Sequence, residues 1–429
     1  MENFNTNIKT LGVPLYDSPL DIPMFINEGE RVVYRVEYDD LEAGFKKNGT
    51  VPSFENAGPR RKIFFKPEEV KAALVTCGGL CPGLNNVIQT IVRTLYYGYG
   101  VRKIYGIRYG YEGLIPEYGH AFMELHPDNV DELHLKGGTI LGSSRGNQDV
   151  SAMVDTLEKN GINILFTIGG DGTLRGANAI QQEVEKRGLK ISIAGVPKTI
   201  DNDINYVQKT FGFTTAVSEA VNSIHSAHNE AKGAKNGIGL VKVMGRDSGF
   251  IAAHVALASN DVNYVFIPEV PFRLEGEGGF YQVLHDRLKR KTHAVVLVAE
   301  GAGQDLVAGT GEKDASGNVK FGDVGLFFKD GINRYFKEAG FPVSIKYIDP
   351  SYLIRSVAAG AEDAVFCIML AHNAVHGAMS GRTGFLVGTW NSCFTFLPFA
   401  LATGERKKVD PKGYLWSTVT EATGQPDFI

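Results

Sequence analysis

Two short loops in this 429-residue chain carry residue types suited to handling phosphate. The first is Gly169-Gly170-Asp171-Gly172-Thr173, which follows an apolar run and opens a helical pattern. Backbone without side chains at such a turn lets several N–H groups and a helix N-terminus face an anion. The Asp171 carboxylate can then reach a magnesium ion bridging phosphate oxygens. The same residues also suit a plain tight turn in which Asp171 caps the helix. The second loop, Pro197-Lys198-Thr199-Ile200-Asp201-Asn202-Asp203, sets two carboxylates two positions apart, with a Lys three residues before the first. A carboxylate there can accept the proton of a substrate hydroxyl as it attacks phosphorus; the alternative is an Asx-rich turn after a strand.

These loops can act only where flanking elements hold them. Apolar runs recur at 72–76, 162–168, 191–196, 238–243, 262–267, 294–299 and 343–348. After the first run, Leu84, Val87, Ile88, Ile91, Val92 and Leu95 share one helix face. Strands alternating with helices predict mainly parallel sheets covered on both faces, and so many strands predict two α/β domains rather than one huge sheet. Ligands of such sheets bind beyond the carboxyl ends of the strands, where both loops fall. Residues 1–67 lack periodicity, carry Pro14, Pro19, Pro23, Pro52 and Pro59, and read as an extension wrapped on the surface or arm-like.

Composition narrows the function classes. Hydrophobic residues make up 43% and charged residues 21% of the chain, which suits a globular protein with a large core. A net charge of -4 supplies no global pull toward nucleic acid or anionic lipid, and no stretch has the apolar length of a membrane span. Neither nucleic acid nor membrane is an expected partner. Cys77, Cys81, Cys367 and Cys393 are too few for a disulfide scaffold and read as free thiols, so the expected location is the cytoplasm. No Gly-x-Gly-x-x-Gly follows a strand and no Gly-Lys pair occurs, which argues against hydride transfer and ordinary P-loop hydrolysis.

The order of motifs resembles the phosphofructokinase family from about Ala73 through Arg355 and on toward Gly388. Its pieces are Gly78-Gly79-Leu80-Cys81-Pro82-Gly83-Leu84-Asn85, the stretch from Gly137 to Arg145, the two loops above, Met244-Gly245-Arg246, Glu300 and Tyr352-x-x-Arg355. The resemblance implies two Rossmann-like three-layer domains with the active site in the cleft between them. Residues 68–212 plus about 354–405 would bind the donor and 213–353 the phosphosugar, with an N-terminal extension (1–67) and a C-terminal segment (406–429).

The resemblance also implies transfer of the γ-phosphoryl of Mg-ATP to the 1-hydroxyl of fructose 6-phosphate, a glycolytic step. Gly79, Arg145, Gly170, Asp171, Gly172 and Thr173 would meet the donor, and Asp171 would hold Mg2+. Asp201 would be the general base, with Thr199 and Asp203 positioning the acceptor and the metal shell. Lys198 and Arg246 would neutralise the transferring group, while Met244 and Gly245 lie along the sugar phosphate. Glu300 would bind sugar hydroxyls; Tyr352 and Arg355 would take the 6-phosphate, with Lys346 reaching from a neighbouring subunit. A cytoplasmic, allosteric homotetramer is the implied form. Bacterial ATP-using relatives carry Arg where this chain has Gly237. Lys198 matches the pyrophosphate-using branch, whereas Gly172 matches the ATP users, so the pyrophosphate-dependent enzyme is the close alternative. A non-catalytic phosphosugar-binding subunit would lack Asp171, Asp201 or Arg246, and an NAD or lipid kinase would have no use for the second loop.

Overall fold

The computed structural model of the chain describes residues 5–307, 311–312 and 319–428. They divide into two compact units, each described here by itself. One contains residues 1–199, 204–212 and 357–406; the other contains 200–203, 213–356 and 407–429.

The first unit is built on a nine-stranded sheet. Its middle holds five parallel strands in the order Phe385–Trp390, Ser192–Pro197, Ile164–Gly169, Lys71–Thr76 and Lys103–Ile107. Every residue of Ile164–Gly169 and Ser192–Pro197 is buried, as expected of strands covered on both faces, which is why these segments are continuous apolar runs in the sequence. Antiparallel strands flank this middle. Met123–Glu124 lies at one edge, and Cys393–Pro398, Ser53–Asn56 and Arg31–Val33 extend the other.

The N-terminal residues therefore do more than lie on the surface. Arg31–Val33 and Ser53–Asn56 are part of the sheet, and Phe54 is fully buried in the core. Hydrogen bonds with residues far along the chain tie this segment down. Arg382 donates to the carboxylates of Glu28 and Glu55, and the Trp390 indole N–H donates to the Tyr34 carbonyl at 2.7 Å.

The second unit holds a four-stranded, all-parallel sheet in the order Tyr264–Phe266, His293–Ala299, Gly237–Val243, Ser344–Ile348. Phe213–Lys232, Phe250–Ser259, Phe280–Lys291 and Val324–Glu338 are its main helices. An aromatic group of Phe266, Phe280, Phe328 and Phe428 anchors its core. Phe428 brings the C-terminal segment into this core and is itself buried. Gly237 has a packing reason. A Cβ there would lie 2.0 Å from the Ala231 carbonyl oxygen, so the strand and the preceding helix leave no room for any side chain, Arg included.

Candidate functional site

In the first unit, the residues of the donor motifs gather at the carboxyl ends of Lys71–Thr76 and Ile164–Gly169. Gly169 ends its strand and Asp171 begins the helix Asp171–Lys186, with Gly170 in extended conformation between them. A Cβ on Gly169 would meet the Thr173 hydroxyl oxygen at 2.1 Å, so glycine is required by the tightness of the turn. Thr173 is buried and its carbonyl accepts from the Tyr111 hydroxyl at 2.7 Å, which fixes the first helical turn. Helix N-termini present N–H groups without intrahelical partners, and here they stand beside the exposed Gly172. No atom lies within 4 Å of where a Cβ on Gly172 would be.

Lys198 belongs to the same floor. It is 5% exposed, its backbone N–H donates to the Gly169 carbonyl at 2.9 Å, and its ammonium donates to the Gly79 carbonyl. The Gly79 loop is held in turn by the stretch from Gly137 to Arg145. The Gly78 N–H donates to the Ser144 carbonyl at 3.0 Å, the Ser143 hydroxyl donates to the Gly78 carbonyl at 2.6 Å, and Thr76 reaches the Gly142 carbonyl at 2.8 Å. Asn85 completes the tie by accepting from the Ile140 N–H and donating to the Lys136 carbonyl, both at 3.0 Å. Arg145, at the end of this loop, is exposed. Thr199 accepts at its carbonyl from the Thr210 hydroxyl at 2.7 Å. Burial pushes the nearby Cys77 thiol up to about 12, so it is a neutral packing group and no nucleophile.

Asp171 is the one carboxylate of the first loop. Arg175 Nη2 stands 2.7 Å and Arg406 Nη2 3.5 Å from its Oδ2. Among the described residues no group of three or more His, Cys, Asp or Glu side chains gathers as a metal centre. A divalent cation held at this carboxylate would complete its shell with water and substrate phosphates, the usual manner of Mg2+. Asp171 fits that use as a partly exposed anionic oxygen ligand, 16% exposed, that two guanidiniums now neutralise.

The second unit carries the other set. Asp201, Asn202 and Asp203 form a turn in which Asn202 takes φ +54°, a left-handed value that Asn tolerates better than most residues. The Asp201 carbonyl accepts from the Ser248 hydroxyl at 3.4 Å, and the Asp203 carbonyl from the Lys407 N–H at 2.9 Å. Gly245 at φ +142° has no room for a Cβ, which would lie 2.4 Å from the Ser248 carbonyl oxygen. Arg246 follows at φ +51°. Its backbone N–H donates to Glu300 Oε1 at 2.9 Å, and the Glu300 N–H donates to the Val243 carbonyl at 2.8 Å. Burial raises the Glu300 carboxyl above its ordinary value, against the lowering pull of the Arg246 N–H and guanidinium.

Tyr352 is 75% exposed, which rules out a core role for its ring, and the Arg355 guanidinium lies 4.8 Å from the ring centroid. Lys346 stands exposed on the edge strand Ser344–Ile348, its ammonium 3.9 Å from Glu230. Met244 is half-buried.

Sequence reasoning missed four residues here. Arg175 and Arg406 converge on Asp171. Lys407 lies over the Phe250 ring at 5.0 Å, and burial lowers its ammonium to about 8 while Asp203 opposes the change. Glu269 Oε1 accepts from the N–H groups of Gly249 and Val409, at 3.0 and 2.8 Å, and so joins the Gly245 loop to the C-terminal segment. The basic run Arg406-Lys407-Lys408 was the available signal.

Comparison with known proteins bears on the family and the fold. A sequence model of the family described as Phosphofructokinase matches residues 71–378. A Borreliella burgdorferi protein named ATP-dependent 6-phosphofructokinase is 50% identical, covering 99% of this chain and 98% of its own. A protein of the same name from Amycolatopsis methanolica is 46% identical, covering 98% and 94%. Among solved structures, a pyrophosphate-dependent phosphofructokinase from Nitrosospira multiformis superposes with a TM-score of 0.68 at 18% identity, over 84% of this chain and 96% of that one, a likeness of fold. With residues 71–378 matched by the family model and nearly the whole chain covered by a relative half identical to it, the chain belongs to the phosphofructokinase family.

Proposed function

We propose that the protein is an ATP-dependent 6-phosphofructokinase, transferring the γ-phosphoryl of ATP to the 1-hydroxyl of fructose 6-phosphate. The observation that carries the reading is the turn at Gly169–Thr173, where a helix N-terminus and Asp171 stand beside an open position at Gly172 and the buried Lys198 joins Gly169 to the Gly79 loop. Pyrophosphate needs room for two phosphates, whereas ATP also needs room for an α-phosphate and a nucleoside. The space left open at residue 172 favours the larger donor.

In this reading Gly79, Arg145, Gly170, Gly172 and Thr173 receive the donor, and Asp171 holds Mg2+. Bound to phosphate oxygens, Mg2+ supplies neutralisation of the charge that builds on the transferring group. Lys198 and Arg246 add fixed positive charge there, at no reorganisation cost when they are already oriented. Asp201 accepts the proton of the 1-hydroxyl, and Thr199 and Asp203 orient the acceptor. Met244, Gly245 and Glu300 line the sugar, while Tyr352 and Arg355 hold the 6-phosphate. Lys346 reaches the 6-phosphate of a neighbouring subunit in a homo-oligomer, with a tetramer as the favoured form. The cytoplasm is the proposed location, in keeping with the free thiols of Cys77, Cys81, Cys367 and Cys393. No helix among the described residues is long and apolar enough to cross a membrane. The donor motifs thus belong to one compact unit, and Asp201 with the acceptor motifs to the other. A steady-state assay with fructose 6-phosphate and Mg2+, supplied with ATP or pyrophosphate, tests the function. Turnover with neither donor would refute it.

A further inference from the structure

Two guanidinium groups share one carboxylate oxygen in the first unit. Arg175 approaches Asp171 Oδ2 from one turn further along the same helix, at 2.7 Å. Arg406 approaches it at 3.5 Å from 235 residues further along the chain. The second contact is built into the backbone, because Arg406 forms an antiparallel bridge with Ile204, the residue directly after the Asp201-Asn202-Asp203 turn. The shared carboxylate is 16% exposed and the Arg406 side chain 23%, so solvent screens this pair less than an open surface pair. Asp171 Oδ2 thus faces two guanidinium groups at once.

We propose that Arg406 and Arg175 are positioning residues that act as a cationic stand-in at Asp171, repelling free divalent cation and turning to the phosphates of a metal-bound donor. The inference rests on the reading of Asp171 as the metal residue. A carboxylate flanked by two guanidiniums offers a bare dication little net attraction and two repulsions. A metal–polyphosphate complex brings its own anionic oxygens, with which both displaced guanidiniums can form charge-assisted hydrogen bonds. Each charge on the protein therefore keeps a partner before and after loading, and the site favours the complex over the free metal.

The test is Mn2+ binding to the full chain, followed by electron paramagnetic resonance without nucleotide and then with ADP present. Arg406→Ala and Arg175→Ala should each bind free Mn2+ about fivefold more tightly than wild type, the worth of an exposed ion pair at the top of its range. Both should bind the Mn2+–ADP complex more weakly by a similar factor. Arg406→Lys should restore much of the wild-type discrimination. Introducing Asp171→Asn into either variant should erase the gain. Loss of a merely structural contact would weaken both forms together, or neither. Unchanged or weaker free Mn2+ binding in both alanine variants overturns the stand-in, whether or not Asp171 holds the metal. A gain that survives Asp171→Asn shows instead that the cation sits elsewhere, and then the reading of Asp171 fails as well. Arg175 is half-exposed on a helix surface, so its variant keeps the test available if Arg406→Ala does not fold.

Discussion

The backbone N–H of Arg246 donates to Glu300 Oε1 at 2.9 Å while Arg246 itself sits at φ +51°. A non-glycine residue in that region costs about 1–2 kcal/mol, and one hydrogen bond to a charged acceptor is worth about 1.5–3 kcal/mol, enough to hold it there. Gly301 takes part as well, since a Cβ there would lie 1.9 Å from the Arg246 carbonyl oxygen. The carboxylate expected to meet sugar hydroxyls therefore also holds the backbone of the arginine beside it.

A pH dependence follows. Burial raises the Glu300 carboxyl, so it gains a proton at a higher pH than an ordinary glutamate as acidity increases. Protonation removes the negative charge that accepts from Arg246 and, in the proposed role, from the sugar. The KM for fructose 6-phosphate should rise on the acid side, beginning above the ordinary glutamate range. Glu300→Gln should show a raised KM that is flat over the same span. Identical pH profiles for both proteins would remove Glu300 from acceptor binding.

Asp201→Asn should lower kcat by roughly 10²- to 10⁴-fold, the usual worth of a positioned general base, with fructose 6-phosphate still bound. Equilibrium binding of the sugar phosphate, measured beside kcat, separates the two effects. A variant that keeps more than about a third of wild-type kcat would exclude Asp201 as the base.

Arg355→Ala should weaken the phosphosugar selectively, because a charge-assisted contact to the 6-phosphate exists in ground and transition states alike. The KM for fructose 6-phosphate should rise far more than the KM for the donor. Equal changes in both, or none, would contradict the assignment of the Tyr352–Arg355 pair.

Gly83→Ala tests the donor-side scaffold without touching its chemistry. Gly83 lies at φ +100° ahead of the helix Leu84–Arg93, and a Cβ there would lie 2.5 Å from Cys367 Sγ and 3.1 Å from the Phe211 ring. Backbone strain and overpacking together should cost about 2–4 kcal/mol in urea unfolding. A loss below about 0.5 kcal/mol would mean that the surroundings yield easily.

Much of this was legible in the sequence because buried parallel strands must be apolar throughout. Segments such as Ile164–Gly169 and His293–Ala299 stand out as runs, and glycines mark their ends. Arg31–Val33 at the sheet edge and Ser53–Asn56 next to it did not stand out, being short strands with mostly half-exposed or exposed residues. Gly237 read as a departure from the family pattern, and only the close approach of Ala231 explains it. The basic run marks Arg406 as a charge, but its partner stayed hidden for a different reason. Its contact with Asp171 depends on the chain returning to Ile204 after two hundred residues, and no local pattern encodes that return.

The donor decides the central claim. An Asp at residue 172 would fill the open space and set a negative charge near phosphate, costing roughly 1 kcal/mol at 4 Å in water and about 4 kcal/mol at an effective dielectric of 20. Lys198 excludes nothing, since an ammonium assists either donor. The most direct measurement is kcat/KM for ATP against pyrophosphate, in wild type and in Gly172→Asp. Wild type should prefer ATP by at least about tenfold, a gap of about 1.4 kcal/mol, and Gly172→Asp should lose most ATP use. Wild-type turnover of pyrophosphate as fast as ATP, or intact ATP kinetics in Gly172→Asp, would contradict an enzyme whose donor is chosen by the space at Gly172.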